Sequence, residues 1–79
     1  MTFKTLECVV LIHDLPQHDL RMGDIGTIVE VYPIGGLEVE FVTCSGETKA
    51  LVTLSENDVR RVDAHDLLTT RRLTEAHKK

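Results

Sequence analysis

Twelve residues at positions 21–32, RMGDIGTIVEVY, constrain this chain most. Gly23 and Gly26 frame a tight turn around Asp24, and a β-branched run follows at once. Glycine reaches dihedrals with φ > 0 without a Cβ clash, so the pair marks a sharp corner through which the chain enters a small barrel. Thr27 to Tyr32 is then a strand, with Ile28, Glu30 and Tyr32 on one side and Thr27, Val29 and Val31 on the other.

The remaining segments repeat this strand-and-turn rhythm. LECVVLI at 6–12 is a first strand, apolar on both faces and therefore covered on two sides over part of its length. HDLPQHDLR at 13–21 is a long loop, broken by Pro16 and held down by Leu15 and Leu20. Pro33-Ile34-Gly35-Gly36 is a hairpin loop. LEVEFVT at 37–43 alternates cleanly, with Leu37, Val39 and Phe41 inward and Glu38 and Glu40 outward. Cys44-Ser45-Gly46-Glu47 turns the chain into TKALVTL, in which Lys49 is expected opposite Glu38 or Glu40. Ser55-Glu56-Asn57-Asp58 reads as a capped 3₁₀ turn before a short closing strand.

Five short strands with turns every eight to twelve residues predict an all-β fold: a small five-stranded SH3-like barrel over 1–62. Closure would remove two pairing edges from water. The tail, 63–79, is expected to be helical from about Asp66 to His77, or else disordered, because Leu67, Leu68, Leu73 and Ala76 form no clean stripe.

Composition narrows the function classes. At 79 residues the chain is one domain with a thin core, and with only Phe3, Tyr32 and Phe41 as aromatics that core is aliphatic. Net charge is −4, unevenly placed: residues 1–59 carry three basic and ten acidic side chains, residues 60–79 six basic and three acidic. An acidic body disfavours phosphate backbones, so nucleic acid is an unlikely partner. Cys8 and Cys44 make no disulfide framework and are expected as reduced, buried strand cysteines of a cytoplasmic protein. No signal peptide or membrane span is expected.

The order of LECVVL, DLP, GDIGTIVEVY, LEVEFV and ALVTLSENDVR resembles a family of small bacterial proteins described as a domain of unknown function (DUF4926), over roughly residues 5–62. The family's DLPxxGL stretch carries glycine where this chain has Asp19. More loosely, the layout is similar to SH3-like barrels, including the photosystem I accessory subunit, and GDIGTIVEV to the KOW motif. The resemblance implies a fold and no activity.

Candidate sites are few. His13, Asp14, His18 and Asp19 fall within seven residues, and four such groups would suit a divalent metal, although no spacing among them is a zinc pattern. The bland reading, a solvated polar loop, is preferred, so neither a resident metal nor any other cofactor is expected. Gly23-Asp24-x-Gly26 lacks a following helix, so it is read as a structural corner and not a phosphate cradle. Glu30, Glu38, Glu40 and Glu47 would form an acidic sheet face, and Tyr32 with Leu15 a small apolar groove. Arg71 and Arg72 are the tail's candidate contacts. The leading expectation is a non-enzymatic binding or accessory module for another protein, of a size compatible with an antitoxin-like role. Its candidate surface is Leu15, Tyr32, Glu38, Glu40, Arg71 and Arg72, and the tail would also suit a homo-oligomer. The alternatives are a KOW-like nucleic-acid binder and a metal protein using loop 13–19.

Overall fold

The computed structural model describes residues 2–73. The expectations for Ala76 and His77 lie outside those residues. Five strands run in chain order: β1 (Cys8–Leu11), β2 (Ile25–Val31), β3 (Gly36–Val42), β4 (Thr48–Ser55) and β5 (Val59–Arg61). Every pairing is antiparallel, and the sheet order is β4-β3-β2-β1-β5. The fold is all-β, with no α-helix among the described residues. A 3₁₀ turn (Glu56–Asp58) joins the two edge strands, which do not pair with each other. The sheet is thus not closed by hydrogen bonds, although its order is compatible with an SH3-like barrel.

The inward face carries the aliphatic core the composition requires. Val9, Ile28, Leu37 and Val39 are fully buried, with Leu11, Phe41, Val52, Leu54 and Val59 around them. Leu15 and Leu20 form an isolated bridge and plug one side of this core. Such aliphatic side chains contribute about 1.5–3 kcal/mol each on full burial.

The two glycines of the corner do different jobs. Gly23 sits at φ +97° and makes the turn. Asp24 fastens it, its carboxylate accepting the Arg21 N–H at 2.8 Å while its own N–H donates to the Arg21 carbonyl at 3.0 Å. The Gly23 N–H donates to the Leu11 carbonyl and the Leu11 N–H to the Asp24 carbonyl, both at 2.9 Å, so the corner is stitched to the end of β1. Gly26, read from sequence as a turn residue, lies inside β2 with no positive φ. A Cβ there would come within 2.5 Å of Val39 Cγ1 and 2.9 Å of Phe41 Cε2. Absence of a side chain lets β3 pack directly against it.

Four further expectations change. β1 begins at Cys8, because Leu6 takes φ +74° in a turn at residues 5–6 and is left 76% exposed. In β2 the register shifts between Ile28 and Glu30. One extra residue at this bulge reverses the face of everything beyond it, so Glu30 points outward opposite Glu38 instead of sharing a face with Ile28. Glu38 and Glu40 face Thr53 and Leu51 of β4, whereas the Lys49 ammonium lies 3.8 Å from the Asp19 carboxylate. Finally, both cysteines are free and exposed, not buried.

The tail is not helical over its described length. Residues 62–73 run without regular structure from β5 back past β1 to the corner. Asp66, read as a helix cap, caps a single turn instead: its carboxylate accepts the Asp63 N–H and a two-pronged bond from Arg60. Sparse leucines at 67, 68 and 73 give no continuous stripe, and ion pairs fix the path where a helical ladder would have.

Candidate functional site

The outer faces of the sheet differ sharply. On the β1 side, Val10 points outward yet is 5% exposed, because residues of the tail arch over it. Arg60, Val62, Asp66, Leu68 and Thr69 share a small cleft with it. Two fork-to-carboxylate pairs pin this path. Arg60 donates to both Asp66 oxygens at 2.9 and 2.7 Å, and its guanidinium holds the Asp66 carboxyl at about 2. Arg71 donates to both Asp24 oxygens at 3.0 and 2.7 Å and also to the Asp19 carbonyl at 3.1 Å. Burial pushes the Asp24 carboxyl up, but Arg71 and the Arg21 N–H outweigh it and leave it below its ordinary value. Planar bidentate pairs of this kind add geometric specificity as well as energy. The two-sided cover expected for the first strand is therefore present, with the tail as the second side.

On the β2–β3–β4 side the outer face is open and acidic. Glu30 stands opposite Glu38, and Glu40 stands between Thr27 and Leu51. Glu38 accepts the Thr53 hydroxyl at 2.6 Å and the Tyr32 hydroxyl at 3.3 Å, and Glu40 accepts the Thr48 hydroxyl at 2.6 Å. Burial and the Glu38 charge raise the Tyr32 hydroxyl, which therefore stays a neutral donor. These neutral donors orient the carboxylates without cancelling their charge. Exposed Leu51, Val29 and Tyr32 lie around them.

The loop 13–19 does not gather its titratable groups. Leu15 is buried in the core and bridged to Leu20, while Tyr32 lies just past the end of β2, 40% exposed and hydrogen-bonded to Glu38. His13 turns to Asp58, with Nε2 2.7 Å from the carboxylate and Nδ1 3.1 Å from the Asp14 carbonyl. Both ring nitrogens thus face acceptors, and the Asp58 bond, followed by the Asp14 carbonyl, raises the His13 imidazole above its usual value. The Ser55 N–H and then His13 lower Asp58. Asp14 accepts the Met22 N–H at 2.8 Å, which holds the loop against the corner. Asp19 adopts φ +57°, a left-handed conformation that glycine takes without strain and that aspartate tolerates better than most residues. Among the described residues no three His, Cys, Asp or Glu side chains are placed to hold a metal ion.

Sequence reasoning missed two features here. Asp58 is legible in the sequence only as part of a capping turn, yet it is also the partner of His13 across 45 residues. Arg61 stacks over Phe3 at 4.5 Å and pairs with Glu7, tying the N-terminal segment to β5. No local spacing signals either contact. An open groove of about 950 Å³ also runs between the corner, the β3–β4 turn and the tail, with Arg21, Lys49, Arg71 and Arg72 along it.

Fold and site together define a small all-β protein, its strand order compatible with an SH3-like barrel, with an uncovered acidic face among the described residues. The chain belongs to the family described as a domain of unknown function (DUF4926), whose profile matches residues 5–61. No curated protein and no solved structure matches it. No described helix is long and apolar enough to cross a membrane.

Proposed function

We propose that this protein is a non-enzymatic binding module that recognises a basic surface of another protein through the outer face of β2, β3 and β4. One observation carries this reading. Glu30, Glu38 and Glu40 share a sheet face beside exposed Val29, Tyr32 and Leu51 and the hydroxyls of Thr48 and Thr53, while three arginines of β5 and the tail pair elsewhere. Arg60 and Arg61 of β5 and Arg71 of the tail are paired with Asp66, Glu7 and Asp24, so these three cations are engaged away from the acidic face. Clustered charge of one sign speeds encounter with an oppositely charged partner and sets its orientation. Both thiols are free and exposed, the state that a reducing cytoplasm maintains.

The test is affinity capture from native lysate by the wild-type chain and by a Glu30→Gln, Glu38→Gln, Glu40→Gln variant, at low and high salt. A retained basic protein should be lost with the variant and weakened by salt. Equal retention by both chains would contradict the proposal. A second reading has one observation in its favour: Arg21 and Arg72 line the groove between corner and tail, beside Lys49 and Arg71, which are already paired with Asp19 and Asp24. It would take an anionic ligand, including nucleic acid, and predicts salt-sensitive retention of RNA or DNA by the same chain.

A further inference from the structure

We infer that the outer edge of β4 receives an extended, lysine- or arginine-rich segment of the partner protein as a sixth antiparallel strand. This rests on the binding reading above and adds the mode of recognition and the chemistry of the ligand.

The two edges of the sheet are built differently. β5 is three residues long and two of them are arginines. Short, charged edges resist pairing with other chains. β4 is eight residues long, and its stretch ALVTL at 50–54 holds no charge, no proline and no bulge. An edge so undefended is either a liability or a docking strip.

The hydrogen-bond phase shows what that strip offers. The Glu56 N–H donates to the Gly35 carbonyl, in the same frame that pairs Leu37 with Leu54 and Val39 with Val52. Alternation along an antiparallel ladder then directs the backbone groups of Ala50, Val52 and Leu54 to β3, and those of Leu51, Thr53 and Ser55 to the outer edge. The Ser55 N–H is taken by the Asp58 carboxylate at 2.8 Å. Leu51 and Thr53 thus present two N–H groups and two carbonyls to an incoming strand.

Charge selects the occupant. The cross-strand neighbours of Leu51 and Thr53 are Glu40 and Glu38. An outward side chain on a sixth strand stands two strand spacings from these carboxylates, about 10 Å. A lysine or arginine and a glutamate together span that gap across the small surface of Thr53. A second copy of this chain would bring its own Glu38 and Glu40 to the same face, with repulsion in place of pairing.

The probe is an acetylated, amidated decapeptide of alternating lysine and valine, titrated into the full chain at low salt and followed by amide exchange and NMR shifts. Saturable binding is expected, with slowed exchange at Leu51 and Thr53. The same peptide methylated on alternate backbone nitrogens, so that it has no N–H to give β4, should bind at least about tenfold more weakly. Leu51→Pro, which removes an N–H that no bond within the sheet uses, should do the same while the rest of the spectrum keeps its dispersion. The methylated peptide leaves the protein untouched and so covers the case in which that variant unfolds. Equal binding of plain and methylated peptides would overturn strand addition while leaving the acidic-face reading standing. No binding, or protection of Leu51 and Thr53 that grows with protein concentration and without peptide, would overturn it too, the latter in favour of self-pairing.

Discussion

Gly26 is the glycine around which the sheet packs most tightly. Its hydrogen faces Val39 and Phe41, and any Cβ would have to displace both. Gly26→Ala should therefore destabilise the protein by about 1–3 kcal/mol, the usual cost of overpacking, and lower the thermal midpoint accordingly. By contrast, an added Cβ at Gly23 or Gly35 meets nothing, and only their positive φ argues for glycine. A glycine needed for dihedral freedom and one needed for space look identical in a sequence. Asp19 shows the reverse case: a residue with a side chain holds a left-handed turn at φ +57°, since aspartate tolerates it better than most residues.

At the scale of elements, the 3₁₀ turn and the loop before the corner are joined by His13 and Asp58. The sign of the pH dependence follows from both partners. His13 is raised, so its contribution is complete below its ordinary value of 6.5 and is lost as pH rises through the higher folded value. Asp58 is lowered, so its contribution is complete above its ordinary 3.8 and is lost as pH falls through the lower folded value. Urea midpoints measured from pH 3 to 9 should show the stability gap between wild type and His13→Ala widest between those values and shrinking on either side. A gap independent of pH would mean that the imidazole acts only by packing. The tail is the other element whose placement is electrostatic. Asp24→Asn keeps an oxygen for the Arg21 N–H but weakens the Arg71 fork, and should cost about 1 kcal/mol. It should also speed proteolysis after residue 62 while β1 to β5 remain intact.

Across the whole molecule, what was legible in the sequence is what local chemistry dictates. Alternation in LEVEFVT, the turn residues at 33–36 and 44–47, and the capping run at 55–58 all lead to the observed elements, because each is decided within a few residues. The bulge in β2 was not legible, since a single extra residue leaves no mark in a β-branched run; strict alternation puts Glu30 with Ile28, and only the bulge lets it join the acidic face that the glutamate positions suggest. The path of the tail was equally hidden. Its weak leucine pattern suggested a helix or disorder, whereas Arg60 and Arg71 fix it through partners 6 and 47 positions away. The candidate site inherits both surprises: the bulge completes the acidic face, and the tail covers the opposite one.

An NMR titration of the isotope-labelled chain with the protein it captures reads this division of surfaces directly. The account predicts that shift changes gather on residues 27–30, 38–42 and 49–53, leaving Val10, Ile25 and residues 60–73 unmoved. A footprint centred on the tail and the corner, with the acidic face silent, would contradict it.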